Sequence, residues 1–350
     1  SQEELMKNKS LSNNEKERII EEFQKLLEER GRKPLEMARK AILEEEIESK
    51  KVKEALHYFM TKYWHDLARP TLLSICCEAV GGDPNSTVPF AVPLSLISGA
   101  IDIHDDIIDQ SKTKYGRTTV YGKFGKEIAL LTADALLFKG FTLLHKAYTQ
   151  ISKSKATKIM STIKNLFYEL GDAEAMELRL RKKLDVTPGE YLYIIEKKAA
   201  DVKAHAVVGA LLGDATTEET RKLAKYGSSL GKIIILYDDW MDLIYFEEIR
   251  HRLHREHLPL PLLYALQNSK YKYKISSILQ KKPFTKRNWE ELLDIVINNT
   301  RSIKLQKELM DNIVKGTINS LKGIRKTDNL ILFIQAFQLD EMEDFKPTRA

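Results

Sequence analysis

Six aspartates in two identical patterns are the residues of this sequence best able to do chemistry. Asp105, Asp106 and Asp109 form one Asp-Asp-x-x-Asp triad, and Asp238, Asp239 and Asp242 form another. At 3.6 residues per turn such a triad falls within an arc of roughly 100° on one helix. Spacing alone is a weak signal, since 50 acidic residues in 350 give about one such triad by chance. The chain holds others, Glu44, Glu45, Glu48 and Glu290, Glu291, Asp294, set among further charges as solvated faces are. The aspartate triads have apolar surroundings instead. Between Leu230 and Phe246 the only charged residues are Lys232 and the three aspartates, and Ile101, Ile103, Ile107 and Ile108 flank the first triad.

A helix apolar on nearly every side is a buried helix. Two carboxylates ~6 Å apart at an effective dielectric of ~20 repel by roughly 3 kcal/mol, against a few tenths on an exposed helix. Buried triads therefore need cations, and the poor helix propensity of aspartate gives no other reason for them. Mg²⁺ takes oxygen ligands, keeps several waters, and prefers one or two carboxylates plus substrate phosphates. Two facing aspartate helices would hold a small Mg²⁺ cluster that grips a diphosphate and stabilises it as a leaving group. The plainer alternative is a pair of salt-bridged acidic helices.

The basic residues complete this expectation. Lys197 and Lys198 sit inside the apolar run from Tyr191 to Leu212, where a lysine needs an anionic partner. Lys198 is the best candidate for a diphosphate contact. Arg69 precedes an apolar helix from Thr71 to Val80, and Lys114, Arg117 and Lys123 follow the first triad. Lys112 and Lys126 read as surface charges. His251, His254 and His257 recur every three residues, but their flanking arginines indicate a solvated or anion-facing helix end rather than a transition-metal site.

These residues must be positioned by helices. Helical periodicity runs from Leu130 to Tyr148, Ile159 to Leu170, Tyr191 to Leu212 and Leu223 to Tyr245, with shorter helices from Leu262 to Leu339. No strand, repeat or long linker is evident. With only 16 Gly and 10 Pro, an all-α, single-domain chain is expected. Breaks are expected at Gly81-Gly82-Asp83-Pro84, Gly116, Gly213-Asp214 and Lys282-Pro283. Gly31 should stop a first helix and Pro34 begin a second, so residues 1–33 read as a helical extension and 34–350 as the main domain. Hydrophobic residues at 43% exclude disorder. The net charge of +6 is scattered, which argues against nucleic acid. Cys76 and Cys77 are adjacent, as in a reducing compartment. No secretory signal is evident and Pro84–Ile101 makes a poor membrane span, so a cytoplasmic location is expected.

In order and spacing, these motifs resemble the trans-isoprenyl diphosphate synthases, the all-α polyprenyl synthetases. The likeness runs from about Pro34 to the C-terminal helices. It rests on Arg69-Pro70, His104-Asp105-Asp106-Ile107-Ile108-Asp109, Ala133-Asp134-Ala135-Leu136-Leu137, Glu190-Tyr191-Leu192 leading to Lys198-Ala199-Ala200, Asp238-Asp239-Trp240-Met241-Asp242, and Leu260-Pro261-Leu262-Leu263-Tyr264. The resemblance implies a helical bundle with a central apolar cavity, acting as a homodimer or with a homologous partner. It also implies Mg²⁺ on both aspartate motifs, ionisation of an allylic prenyl diphosphate, and attack by isopentenyl diphosphate. Asp105, Asp109 and Asp238 would be the principal metal ligands. Asp106, Asp239 and Asp242 would ligate or orient through water, and Lys198 and Lys114 would contact the allylic diphosphate.

The departures from the family pattern concern the second substrate. His65 and Asp66 stand where the family has Gly-Lys, Ser98 stands for its His, and Lys114-Tyr115 for its paired arginines. Of the usual isopentenyl diphosphate grip only Arg69 remains at a matching position. Each lost charge-assisted contact costs about 2 kcal/mol. Three readings follow. In the first, an elongating synthase uses substitute cations such as Arg117 or Lys62. In the second, a terpene synthase-like enzyme or a prenyltransferase with another acceptor keeps only the ionising site. In the third, the chain is a non-catalytic partner subunit. Ala100, one turn before the first triad, is too small to floor the cavity, so a long allylic chain would fit unless Phe138, Phe141 or a partner closes it.

Overall fold

The computed structural model describes residues 13–338, so residues 1–12 and 339–350, Leu339 of the last expected helix among them, lie outside that range. Helix α1 (Asn13–Leu43) runs unbroken through Gly31 and Pro34, where a stop and a restart were expected. Tertiary packing overrides the local signals, because Leu35, Ala38 and Ile42 are buried on one face. At Gly31 an added Cβ would lie 2.5 Å from the Leu67 carbonyl oxygen, so this glycine allows a close crossing and is not a stop. The same helix carries Leu26 into the largest core cluster and Leu35 into another, and it is continuous across residues 33 and 34.

Helix α2 (Lys50–Tyr58) continues through a π turn at Phe59–Tyr63 and is followed by α3 (Ala68–Ala79). The Gly81–Pro84 break then leads into α4 (Val88–Ile108), which carries the first triad and is capped by Asp109 itself. A hairpin follows, with strands β1 (Thr113–Lys114) and β2 (Arg117–Thr118) of two residues each, so the all-α reading holds apart from this pair. Tyr115 and Gly116 both take positive φ, 48° and 78°, the combination a tight two-residue hairpin turn needs.

After the short α5 (Val120–Phe124) come α6 (Lys126–Tyr148) and α7 (Lys153–Leu180). The run expected as one helix from Tyr191 to Leu212 is two, α8 (Pro188–Lys198) and α9 (Ala200–Leu212). The break at Ala199 sits against Gly231, where an added Cβ would meet the alanine Cβ at 2.8 Å. Helix α10 (Thr217–Leu243) starts at a capping box of Thr216 and Glu219 and ends on the second triad. Then follow α11 (Phe246–Arg255) and α12 (Leu260–Ala265), with four further helices to Gln335. The largest core cluster surrounds Leu230, Ile233 and Leu236 of α10, and a second lies between α1, α2, α4 and α6.

Candidate active site

Both triads stand in the last turns of their helices. The helix dipole is negative there, so carboxylates are disfavoured by their position as well as by each other. The protein offsets this with cations, and it does so differently at the two triads.

At the first, Asp106 is buried and forms an ion pair with Lys114, which also lies 3.6 Å from Asp102 and 4.0 Å from Asp105. Asp105 and Asp109 converge instead with Glu174 of α7, their ligand oxygens all within 4.8 Å of one another. Burial, and after it the charge of Asp105, raise the carboxyls of Asp109 and Glu174 to about 9. Asp105 Oδ1 is buried without a hydrogen-bond partner. Three crowded oxygen donors with an unmet acceptor suit a hard divalent cation, so these residues fit Mg²⁺. Arg181 closes the outer side, donating to the Ile108 carbonyl at 2.6 Å and to Asp109 at 3.3 Å.

Lys198 ends α8 beside this group. Its ammonium pairs with Glu177 at 2.9 Å, and Glu177 also lies 3.5 Å from His257 Nε2. The charges of Glu177, Asp105 and Glu174 outweigh burial and hold Lys198 well above its ordinary value. The Lys198 charge and the hydrogen bond from His257, burial notwithstanding, hold the Glu177 carboxyl below the usual range.

At the second triad the cation is an arginine. Asp239 accepts from Arg252 at 2.8 Å, from the Tyr191 hydroxyl at 2.6 Å and from the Leu260 amide at 3.0 Å. Asp242 accepts from Arg252 at 2.9 Å and from the Tyr115 hydroxyl. Asp238 keeps its carboxylate open to solvent, although the surrounding protein, then Asp242 and Asp239, raise it to about 7. The six aspartates are therefore not equivalent. Asp106 and Asp239 are buried and paired, Asp242 is clamped, and Asp105, Asp109 and Asp238 keep oxygens for a ligand.

The residues expected around a second substrate are differently committed. The Arg69 guanidinium is shared between Asp66 at 2.8 Å and Asp201 at 2.7 Å, and it stands over the Trp64 ring. Arg69, expected at a phosphate contact, is thus already paired with two carboxylates. Arg117 donates to the Tyr63 carbonyl at 2.8 Å and lies over the Tyr63 ring. Ser98 and Ala100 are buried on α4, with the Phe59 ring against the adjoining Gly99. Phe138 is 72% exposed and does not close an interior space. A pocket of about 490 Å³ lies between α6 and α7, lined by Phe141, Leu144, Tyr148, Met160 and Phe167 among others. The three histidines diverge: His251 meets Ser111, His254 is exposed and His257 faces Glu177.

Sequence reasoning missed Glu174, Glu177, Arg181, Tyr191 and Arg252. The available signal was the pair of acids three residues apart in Ala-Glu-Ala-Met-Glu-Leu, on one face of a helix.

A helical bundle that ends two long helices on paired aspartate triads, with lysines between them, has the architecture of the isoprenyl diphosphate synthases. The structure superposes on geranylgeranyl pyrophosphate synthetase from Pyrococcus horikoshii Ot3 with a TM-score of 0.78 at 24% identity, covering 93% of this chain and 100% of that one. The sequence profile of the polyprenyl synthetase family matches residues 49–296, and the chain belongs to that family. It is 33% identical to a geranylgeranyl diphosphate synthase of Methanosarcina mazei over 182 residues, 52% of this chain and 56% of that protein. A short chain isoprenyl diphosphate synthase of Methanothermobacter thermautotrophicus is 31% identical over 51% of this chain and 55% of its own length. The chain thus spans about half the length of the curated relatives it matches.

Proposed function

We propose that this chain is a Mg²⁺-dependent prenyltransferase that ionises an allylic prenyl diphosphate and elongates it with isopentenyl diphosphate. The observation that carries this reading is the convergence of Asp105, Asp109 and Glu174 beside Lys198. These carboxylates and Asp238 would hold Mg²⁺, which would supply Lewis-acid stabilisation of the departing diphosphate. Lys198, fixed in direction by Glu177, binds the same diphosphate by a charge-assisted contact. Lys114 neutralises Asp106 and sits within reach of Asp105, so it contributes charge to the same pole of the site. The names of the curated relatives, all diphosphate synthases, support this direction.

A second reading is favoured by one observation. Arg69 is already shared between two carboxylates, so a diphosphate acceptor finds no unpaired guanidinium there, and a prenyltransferase with a different acceptor fits. Supplying Mg²⁺ and farnesyl or geranylgeranyl diphosphate, with and without isopentenyl diphosphate, separates the readings. Longer diphosphates formed only with the second substrate support elongation. Diphosphate release without it supports another acceptor or cyclisation, and no turnover indicates a partner subunit.

The assembly belongs to the same proposal. Helix α6 is long and apolar enough to cross a membrane, but only 33% of that window is buried. Its Leu130, Leu131, Phe138 and Phe141 are exposed, a patch of the kind that marks an interface. We assign it to a second copy of the chain or a homologue. The equally apolar Pro84–Ile108 is 72% buried and serves as core. Buried, unpaired Cys76 and Cys77 fit the cytoplasm.

A further inference from the structure

The second triad holds its own cation, and the pairing consumes two of its three carboxylates. Asp239 is 1% exposed in its side chain and Arg252 10%. Asp239 offers Oδ1 to the guanidinium and Oδ2 to both Tyr191 and the Leu260 amide. Asp242 gives Oδ2 to Arg252, through Nε at 2.9 Å and Nη2 at 2.8 Å, and Oδ1 to Tyr115. One guanidinium thus bridges both acids, in the fork geometry that suits arginine to carboxylates. Every oxygen of the two carboxylates already accepts a hydrogen bond, so a metal entering here would first have to displace a buried ion pair. Arg252 Nη1 is buried with no hydrogen-bond partner. The guanidinium therefore keeps one unmet donor at this point.

We infer that Arg252 takes the place of a divalent cation at the second triad, so that Asp238 is the only carboxylate of that triad left to ligate metal. Arg252 is a positioning residue: it acts through Asp239 and Asp242, fixing the end of α10 from which Asp238 projects. The sequence hides this, because Arg252 lies in a run of arginines and histidines that reads as a solvated helix end.

This inference rests on the metal-binding reading above, and the experiment separates the two. Bound Mn²⁺ per chain is counted from the loss of the free aquo-ion signal in electron paramagnetic resonance, on the full chain with inorganic pyrophosphate present. Asp242→Asn should bind as many ions as the wild type with little change in affinity. Asp105→Asn should lose an ion or bind about tenfold or more weakly, as loss of a ligand does. Arg252→Gln should gain an ion, and Mn²⁺ should raise its melting temperature more than that of the wild type. Recovery of its fold on adding Mn²⁺ would support the inference equally. An Asp242→Asn variant that loses an ion as Asp105→Asn does would overturn it, as would a folded Arg252→Gln with no additional ion. If no form binds Mn²⁺, the metal-binding reading falls and this inference with it.

Discussion

The Tyr115 hydroxyl donates to the Asp242 carboxylate across 127 residues of sequence, while its neighbour Lys114 pairs with Asp106. One tight hairpin therefore ties the ends of both aspartate helices together. Tyr115 takes positive φ in the turn, and its side chain and that of the preceding Lys114 reach different helices. Tyr115→Phe keeps the ring and removes the donor. It should cost about 1 kcal/mol of stability, the net worth of one such hydrogen bond, measured by urea denaturation. It should also lower kcat/KM by loosening the hairpin.

Lys198 and Glu177 should behave as a unit. Lys198→Met removes the diphosphate contact and leaves Glu177 with His257 alone. Glu177→Gln leaves the lysine charged, with one neutral partner, beside Asp105 and Glu174. Both should weaken binding of an allylic diphosphate analogue by about tenfold or more, as expected when a charge-assisted contact is lost or misdirected. The double variant should lose less than the sum, because the two residues share one interaction. Isothermal titration of the four proteins checks this, and strict additivity would separate the pair.

The raised carboxyls at the first triad predict how stability depends on pH. Asp109 and Glu174 titrate near 9 and Asp238 near 7 in the folded chain, against about 4 unfolded. Between these limits the folded state binds more protons than the unfolded chain, so their contribution to metal-free stability falls as pH rises. It is fully present below the unfolded values and lost as pH passes 7 to 9. Mg²⁺ should replace the protons, so the rise in melting temperature that it produces should be larger at pH 8.5 than at pH 6. Calorimetry at the two pH values, with and without the metal, tests the sign.

The triads were legible because their surroundings contradicted them, acids being rare in runs such as Ile-Ile-Ile-Leu-Tyr. Their partners were not. Glu174 and Glu177 belong to a helix with many charges, and only the packing of α7 against α8 and α9 turns them inward. Arg252 looked solvated for the same reason. The fold shows the same division. Helix α10 and its neighbours followed the apolar period, whereas α1 passed Gly31 and Pro34 because its far face meets the core. The break at Ala199 depends on Gly231, 32 positions away, a contact no local pattern encodes.

The exposed face of α6 should be covered in solution. Phe138→Glu places a charge at the centre of that apolar patch and is itself 72% exposed in a single chain, so it should leave the monomer fold intact. It should convert the dimer to monomer. Light scattering behind size exclusion reads the mass, and circular dichroism confirms the fold. A wild type already monomeric at high concentration would remove the assignment of this face.

Asp66 should limit how well a second diphosphate binds beside Arg69. Its carboxylate holds Arg69 at 2.8 Å and caps the Ala68 amide at 2.9 Å, while Asp201 holds the other side of the guanidinium. Asp201 is half-buried and is kept ionised, against its desolvation, first of all by the Arg69 charge, so the three residues together carry a negative charge. A phosphate arriving there meets two anions for one cation. Asp66→Asn keeps the shape and the amide cap but removes one anion, leaving Arg69 and Asp201 as a neutral pair. Asp66→Lys with Ser98→His reverses the balance and adds a donor on α4. If elongation with isopentenyl diphosphate is limited by this charge, KM for that substrate should fall from wild type to Asp66→Asn and again in the double variant. Values for the allylic substrate should stay unchanged, because its carboxylates and Lys198 lie elsewhere. An unchanged KM across the series would show that the second substrate does not bind beside Arg69, and the search for its site would move to Arg117 and Lys62.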